Sequence, residues 1–345
     1  MAETQKSNVN KLGLSKKDYV GAPSTLCTGC GHDSVTNHII SAFFLSNISP
    51  YNVAKMSGIG CSSKTPTYFM SQSHGFNSIH GRMAPLSTGA KTVNYPMTFI
   101  GISGDGDTAS IGLGGFAHLV RRNVPMVYII ENNGVYGLTK GQFSATADVG
   151  STLKSGSKNP FLNIDICSMA IDLGCGFVAR SFSGDAKQLV PLIEAAFRHK
   201  GTAVIDVISP CVTFANHDGS TKSYNYVKEH KRALQELGFV QPEETISVDY
   251  EEGQTTEVSL PDGSTLLLSK LDSQDHDIHD PEGAISKLHK ARRQGELLTG
   301  LFYYNDRIPE FSEAEELTAT PLVHLSEDEL RPPSSALSEI LANFK

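Results

Sequence analysis

The strongest constraint on the fold is a repeated pattern in which an apolar segment of strand length runs directly into a glycine-containing polar loop. Two such segments are "YPMTFIGISGDGD" (95–107) and "VPMVYIIENNG" (124–134), and "NVAKMSGIGC" (52–61) has the same form. Residues 108–122, between the first two, have the pattern of a helix in spite of three glycines. A strand, a helix and a second strand in this order indicate parallel pairing. The sequence therefore predicts an α/β fold with a doubly wound, mostly parallel sheet.

The same alternation continues beyond this unit and divides the chain into three parts. Further helices are predicted at 33–47, 161–173 and 185–199, and further strands at 176–180 and 202–208. Residues 1–22 form a polar N-terminal arm, 23–240 the α/β domain and 241–345 a C-terminal extension. The expected elements around and within the extension are a charged helix at 227–238, a hairpin in "TTEVSLPDGSTLLLS" and a helix at 281–299.

Composition excludes several classes of function. The net charge is −8 and no basic stripe is present, which argues against a nucleic-acid partner. The longest apolar runs are about one strand long, and the N-terminus lacks a charged segment followed by an apolar one, so we expect a cytoplasmic protein without a membrane partner. Six cysteines without export signals favour metal or redox chemistry over a disulfide framework.

Two polar loops follow neighbouring strands and together predict a metal and diphosphate site. "GDGD" is Gly104 to Asp107, and "ENNGVYG" is Glu131 to Gly137. The Asp105 carboxylate, the Asn133 amide oxygen and a nearby main-chain carbonyl could supply the oxygen ligands that Mg²⁺ prefers. Gly104 and Gly106 would let backbone N–H groups approach the phosphates. "GDGD" alone is also a common turn, so the prediction depends on the pairing of the two loops.

Four cysteines form a second candidate site. Cys27 and Cys30 are two residues apart in "CTGCGH", whereas Cys61 and Cys211 each close a predicted strand. The carboxyl ends of parallel strands gather at one edge of a sheet, so the four thiolates could converge there. These spacings suit either zinc or an iron–sulfur cluster, and the residues alone leave that choice open.

Six motifs carry a resemblance to a known family, and they occur in this order: "CTGCGH", "SGIGCSS", "HGRMAPLSTGAK", "GDGD", "ENNGVYGLTKGQ" and "SPC". With these motifs the chain resembles the β subunit of 2-oxoacid:ferredoxin oxidoreductases. The resemblance implies a fold of the thiamine diphosphate-binding type, with a [4Fe–4S] cluster on Cys27, Cys30, Cys61 and Cys211. It also implies that Asp105, Asn133 and the Val135 carbonyl bind Mg²⁺. The cofactor contacts that it implies are Ile59, Gly60, Cys61, Ser62, His80, Gly81, Arg82, Gly104, Asp105, Gly106, Asp107, Asn133, Val135, Tyr136, Gly137, Leu138 and Thr139.

The resemblance further implies CoA-dependent oxidative decarboxylation of a 2-oxoacid, with electrons passed to ferredoxin. The same reaction could also run in the reverse direction. An α subunit, or a fused γα chain, would supply the activating glutamate and much of the substrate pocket. His80 could donate a hydrogen bond to a phosphate or the substrate. Lys140 lies just past the thiamine loop, and a cation there favours 2-oxoglutarate, which has a second carboxylate.

Three alternatives stay open from the sequence. The substrate could be pyruvate or another 2-oxoacid. The chain could be a subunit of a non-oxidative thiamine-dependent decarboxylase or carboligase, which shares "GDGD" and "NNG" but needs no cluster. It could also be a zinc-stabilised binding module in which "GDGD" is only a turn.

Overall fold

A nine-stranded sheet organises the computed structural model, which describes residues 9–153, 156–212, 248–259, 265–272 and 274–344. The strands are β1 (Val53–Ser57), β2 (His74–Asn77), β3 (Thr98–Gly104), β4 (Met126–Asn132), β5 (Val135–Tyr136), β6 (Gln142–Phe143), β7 (Phe177–Phe182), β8 (Thr202–Ile208), β9 (Thr255–Ser259), β10 (Thr265–Lys270) and β11 (Leu297–Tyr304). The order in the sheet is β2-β1-β3-β4-β8-β7-β11-β10-β9, and β5 and β6 form a separate antiparallel ribbon. The strands from β2 to β7 pair in parallel, which confirms the predicted mostly parallel sheet.

Helices cover both faces of this sheet. They are α1 (Gly31–Ser46), α2 (Met83–Val93), α3 (Leu113–Arg121), α4 (Ile166–Asp172), α5 (Ala186–Arg198), α6 (Pro281–Gln294), α7 (Phe311–Ala314), α8 (Glu327–Leu330) and α9 (Ala336–Ala342). Short 3₁₀ segments occupy Lys16–Tyr19, Pro50–Asn52, Ser62–Tyr68 and Leu322–His324, and Gly106–Ile111 is a π-helical turn. One core packs α1 and α5 against the sheet, and a second packs α2, α3, α4 and α6. This is the doubly wound arrangement that the alternating pattern predicts.

Two helices predicted within the α/β domain differ from the observed ones, each because of a local polar contact. The helix expected at 108–122 is instead the π turn followed by α3, with a break at Gly112, whose N–H donates to the Asp107 carbonyl at 2.9 Å. A Cβ at Gly112 would lie 2.5 Å from that carbonyl oxygen, so a glycine is required at the break. The helix expected from residue 161 begins at Ile166, because the Asp165 side chain caps it by accepting from the Ser168 N–H at 2.8 Å.

The C-terminal extension continues the central sheet. The predicted hairpin is present as antiparallel β9 and β10, and β11 pairs antiparallel with β7. The helix expected at 281–299 ends at Gln294, where Gly295 takes the left-handed conformation with φ of +75° and β11 follows. The charged helix predicted at 227–238 lies outside the described residues. Because strands from both sides of residue 241 share one sheet, the division of the chain there stays a proposal.

The described part of the chain contains no helix that is both long enough and apolar enough to cross a bilayer.

A buried lysine in β1 gives the fold a testable dependence on pH. The Lys55 ammonium donates to the carbonyl oxygens of Phe69 at 2.7 Å and Met70 at 3.0 Å, and burial lowers its pKa to about 8. The folded chain therefore binds fewer protons than the unfolded chain between pH 8 and the usual lysine value. The cost of burying the charge, about 3 kcal/mol, is present in full below pH 8 and disappears as the pH rises through this window.

We expect Lys55→Met to remove this dependence. The free energy of unfolding of each protein is measured by urea denaturation at pH 7.5 and pH 10. Relative to Lys55→Met, the wild type should gain a few kcal/mol of stability at the higher pH. The exposed Lys200, replaced by Met, is the control. A difference that is equal at the two pH values would contradict the assignment.

Candidate functional site

One pocket lies where the carboxyl ends of β1, β3 and β4 meet. It is lined by His32, Ile59, Gly60, Cys61, Ser62, His80, Gly104, Asp105, Gly106, Asp107, Glu131, Asn133, Val135, Tyr136, Gly137, Leu138 and Thr139. The parallel pairing of these strands brings their following loops to the same edge of the sheet. The structure thus brings together nearly all the residues that the sequence assigns to the diphosphate and metal site.

Asp105 and Asn133 form the oxygen-rich part of this pocket. Asp105 is buried, and its Oδ1 accepts from the Asn133 N–H at 3.3 Å. The Asn133 Oδ1 in turn accepts from the Val135 N–H at 3.1 Å, so the side chain is held in the turn between β4 and β5. Carboxylate, amide and carbonyl oxygens from these three residues are the donor set that a hard divalent cation prefers.

Asp107 is placed differently from Asp105, although both belong to "GDGD". Its carboxylate accepts from the N–H groups of Gly81 at 2.6 Å and Ile59 at 3.4 Å and from the Ser103 hydroxyl at 2.8 Å, and His80 Nδ1 also bonds to it. With this many donors the carboxylate is satisfied within the protein. Asp107 therefore fixes the loops after β1 and β2, and it has little capacity left for a cation.

The same contact defines what His80 can do. Its Nδ1 faces Asp107, and a third of the side chain is exposed in the pocket. A neutral imidazole that donates from Nδ1 presents a lone pair at Nε2, so His80 can donate toward a ligand only when the ring is protonated. The predicted role as a donor to a phosphate or substrate thus requires the imidazolium form.

Glycine is required at two positions in the loops around the site. A Cβ at Gly106 would lie 2.5 Å from the Tyr136 ring, whose hydroxyl donates to the Gly106 carbonyl at 3.0 Å. Gly81 has a φ of +71° and would place a Cβ 2.5 Å from the Ile111 side chain. Gly106 lines the pocket, whereas the predicted contact Gly81 lies outside its lining.

Two of the predicted residues lie beside the pocket. Lys140 is at the exposed turn between β5 and β6 with a φ of +76°, next to Thr139, which lines the pocket. Arg82 precedes α2, and its guanidinium donates to the Gly81 carbonyl at 3.0 Å. Arg82 thus supports the Gly81 turn, and Lys140 is free to reach a ligand at the mouth.

The four predicted cysteine ligands lie near one another at the same edge of the sheet. Burial raises the pKa of the Cys30 thiol, and Cys211 raises it further. Burial also raises the pKa of Cys61, with further contributions from Cys211 and Cys27. Within the described ranges, no group of three or more His, Cys, Asp or Glu side chains converges closely enough to hold a single metal ion. Of the four, Cys61 also lines the pocket.

The remaining cysteines are structural. Cys167 and Cys175 are fully buried, and their sulfurs face main-chain carbonyl oxygens of Ala179 at 3.6 Å and Thr202 at 3.2 Å. Burial raises the pKa of both thiols. They behave as small apolar side chains, as the sequence predicts.

A buried polar cluster that lines the pocket was not assigned from the sequence. Thr65 Oγ1 is 3.0 Å from both carboxyl oxygens of Glu131, and His32 Nδ1 is 2.6 Å from Ser209 Oγ and 3.5 Å from Glu131 Oε2. His32 and Glu131 both belong to the pocket lining. Burial raises the pKa of Glu131 well above its usual range and lowers that of His32 to about 4, so it disfavours the charged form of both groups. The sequence feature that could have pointed to this cluster is an acidic residue at the end of the apolar run "MVYIIE".

Comparison with known proteins identifies the domain that contains this site. Residues 58–207 match the family model of the thiamine pyrophosphate enzyme, C-terminal TPP binding domain. A 2-oxoacid:ferredoxin oxidoreductase subunit beta from a Sulfolobus species is 42% identical over 200 residues, which cover 57% of this chain and 65% of that relative. The chain thus matches a little under two thirds of the length of that relative.

Two further proteins are matched over a larger share of their own length. The 2-oxoglutarate synthase subunit KorB of Methanocaldococcus jannaschii is 37% identical over 193 residues, which cover 56% of this chain and 71% of that protein. A solved structure of a 2-oxoglutarate:ferredoxin oxidoreductase from Magnetococcus marinus, with 2-oxoglutarate, coenzyme A and succinyl-CoA bound, superposes with a TM-score of 0.70. It is 27% identical, and the superposition covers 100% of this chain and 99% of that one.

Proposed function

This chain belongs to the family of 2-oxoacid:ferredoxin oxidoreductase β subunits, and we propose that it is the β subunit of an enzyme that acts on 2-oxoglutarate. The proposed reaction converts 2-oxoglutarate, coenzyme A and two oxidised ferredoxins into succinyl-CoA, CO₂, a proton and two reduced ferredoxins. The observation that carries the proposal is the position of Cys61, which lines the diphosphate pocket and also neighbours Cys27 and Cys211. A non-oxidative thiamine enzyme has no need for such a group of thiols beside its cofactor.

The pocket fits Mg²⁺ and thiamine diphosphate by the chemistry of its donors. Asp105, Asn133 and the Val135 carbonyl would bind the cation, and the loops at Gly104 and Gly106 would present N–H groups to the diphosphate. Gly104 and Gly106 both line the pocket, which supports this role. Asp107 would act indirectly by holding the Ile59 and Gly81 backbone in place.

We propose that the four cysteines, Cys27, Cys30, Cys61 and Cys211, bind a [4Fe–4S] cluster. In addition to burial, Cys211 raises the pKa of Cys30 and of Cys61, Cys27 raises that of Cys61, and Cys61 also lines the diphosphate pocket. Thiolates suit either zinc or a cluster, and the choice of the cluster rests on the family, whose enzymes pass electrons to ferredoxin.

When bound, thiamine diphosphate supplies the nucleophile and electron sink for decarboxylation, and the cluster accepts electrons one at a time. The chain's own residues orient and shield these groups. Asp107 holds His80 at the pocket, where its Nε2 can donate to a phosphate or to the substrate when the ring is protonated. Glu131 and His32 line the same pocket as Cys61, and burial disfavours the charged form of both.

We propose that the active enzyme is a hetero-oligomer. A partner α subunit, or a fused γα chain, would supply the activating glutamate and much of the substrate pocket, and ferredoxin would accept the electrons. The pocket mouth supports a partner there, because the apolar side chains of Ile59, Ile79 and Leu138 are 37%, 74% and 51% exposed. The cytoplasmic location expected from the sequence stays a prediction.

Lys140 gives a test of the substrate assignment. In the complex with its partner, we expect Lys140→Ala to lower kcat/KM for 2-oxoglutarate by roughly 10- to 100-fold, because a charge-assisted hydrogen bond contributes about 1.5–3 kcal/mol. The kcat/KM for pyruvate should change little, because pyruvate has no second carboxylate. The measurement is CoA-dependent reduction of ferredoxin with each 2-oxoacid.

Lys200→Ala, at an exposed lysine on another part of the chain, is the matched control and should leave both values unchanged. An unaltered preference in Lys140→Ala would remove Lys140 from the specificity assignment. A wild-type complex that prefers pyruvate would replace 2-oxoglutarate by pyruvate as the substrate. A complex that releases CO₂ without reducing ferredoxin would favour the non-oxidative alternative.

A further inference from the structure

A buried arginine holds two carboxylates on different elements of the fold. Arg180 lies in β7, and its register partner on β8 is Asp206. The Arg180 Nε donates to Asp206 Oδ2 at 2.8 Å, and Nη2 donates to Asp165 Oδ2 at 2.8 Å. All three side chains are largely or fully buried. One guanidinium therefore joins the centre of the sheet to the residue that caps α4.

Hydrogen bonds continue from this ion pair to the diphosphate pocket. Asp206 Oδ1 accepts from the Asn132 side-chain amide at 3.0 Å, at the end of β4. The Asn132 Oδ1 is 3.0 Å from the Thr146 hydroxyl, which is 2.5 Å from Asp105 Oδ2. The Ser144 hydroxyl also donates to Asp105 Oδ2. The Thr146 hydroxyl has one hydrogen, so when it donates to Asn132 the Ser144 hydroxyl donates to Asp105, and the Thr146 N–H donates to Ser144 Oγ at 3.2 Å. A series of hydrogen bonds thus leads from Arg180 through Thr146 to Asp105.

The same arginine is also connected by polar contacts to both ends of the loop that carries these hydroxyl groups. The Ile164 N–H donates to the Ala145 carbonyl at 2.8 Å, which closes the loop of residues 145–164 at its base. One end of the loop is held through Asp165, and the other end through Thr146, Asn132 and Asp206. Both attachments meet at Arg180, so a change there would loosen both ends of the loop together.

We propose that Arg180 is a positioning residue for the metal site, and that it sets the orientation of the Asp105 carboxylate through Asp206, Asn132 and Thr146. This inference rests on the proposed function, in which Asp105 binds Mg²⁺. Side chains that hydrogen-bond to metal ligands orient them, and their loss typically weakens metal binding by about 10–100-fold. The loop hydroxyls perform that task for Asp105, and Arg180 holds the loop.

The direct test is Thr146→Val, which removes the hydroxyl and keeps the shape of the side chain. Mg²⁺ binding is measured by calorimetry on the complex with the partner subunit at saturating thiamine diphosphate. We expect the dissociation constant for Mg²⁺ to rise by about 10–100-fold, and Thr146→Ser to restore most of the affinity. The control is Thr202→Val, because the buried Thr202 hydroxyl donates to the Val124 carbonyl at 2.8 Å, away from the pocket. It should lower the melting temperature without changing the Mg²⁺ affinity.

Arg180→Lys tests the remote part of the proposal, since it keeps the charge but loses the fork that binds two carboxylates. It should weaken Mg²⁺ binding, and combining it with Thr146→Val should add little further weakening, because both act on the same contact. A folded Arg180→Lys complex with lower thermal stability and unchanged Mg²⁺ affinity would show a purely structural role and overturn the inference, as would fully additive effects. If the wild-type complex binds no Mg²⁺ and thiamine diphosphate, the proposed function itself fails.

Discussion

Replacing Cys211 by alanine should abolish the electron paramagnetic resonance signal that dithionite-reduced wild-type protein shows at low temperature. A [4Fe–4S] cluster needs a thiolate on each of its four irons, and Cys211 neighbours both Cys30 and Cys61. Removing one ligand leaves an iron open to solvent, so the cluster should be lost or converted. We expect the iron content of anaerobically purified protein to fall from about four per chain toward zero.

The buried cysteines supply matched controls for this experiment. Cys167→Ala and Cys175→Ala each remove a thiol from the core, where the sulfur contacts main-chain carbonyls. They should lower stability by the cost of a small cavity while the signal and the iron content stay unchanged. A wild-type protein that contains zinc instead of iron and gives no signal after reduction would exclude the redox role of these thiols and, with it, the oxidoreductase assignment.

The sequence was most informative where chemistry follows the ends of parallel strands. The loops after β1, β3 and β4 were predicted to meet because their strands were predicted to be parallel neighbours, and the pocket brings those loops together. The hairpin of β9 and β10 was also predictable, because Pro-Asp-Gly between two apolar segments specifies a tight turn. Its place at the edge of the central sheet was not, since edge pairing depends on distant strands.

The residues that orient the site were harder to predict, because their partners lie far apart in sequence. Arg180 contacts Asp206 and Asp165, and Thr146 reaches Asp105, 41 residues earlier. A signal was nevertheless present: Arg180 and Asp206 each interrupt an otherwise apolar strand, "FVARSF" and "TAVIDVI". A buried charge in a central strand requires a partner of opposite charge. A strand with one buried arginine and a strand with one buried aspartate are therefore predicted to pair.

The two aspartates of "GDGD" are only two residues apart, and their roles differ through their hydrogen bonds. Asp107 accepts from main-chain N–H groups of two loops, whereas the contacts of Asp105 come from Asn133 N–H and from loop hydroxyls. The loop hydroxyls contact Asp105 Oδ2, whereas Oδ1 accepts from the Asn133 N–H at the longer distance of 3.3 Å. Asp105 can therefore bind a cation through Oδ1 while the hydroxyls keep orienting the carboxylate through Oδ2, whereas Asp107 Oδ1 already accepts from Gly81, Ile59 and His80.

We therefore expect Asp105→Asn to lower the Mg²⁺ affinity by at least about 100-fold, more than the loss expected from removing a residue that only orients a ligand. The amide keeps the size of the side chain and one acceptor oxygen but loses the negative charge, which is the main attraction for a hard cation. Thiamine diphosphate should then separate from the complex during gel filtration, because its diphosphate binds through the metal. The secondary structure measured by circular dichroism should not change.

Asp107→Asn and Asp172→Asn complete the comparison. Asp107→Asn replaces a carboxylate that accepts from several fixed donors by an amide with a single acceptor oxygen, so its main effect should be a lower melting temperature. Asp172 is exposed near the end of α4, and its replacement should change neither property. If Asp105→Asn retained thiamine diphosphate as the wild type does, or if Asp107→Asn lost more Mg²⁺ affinity than Asp105→Asn, Asp105 would not be the metal ligand. In the second case the cation site would have to be reassigned to Asp107, with the Gly81 and Ile59 N–H groups released on metal binding.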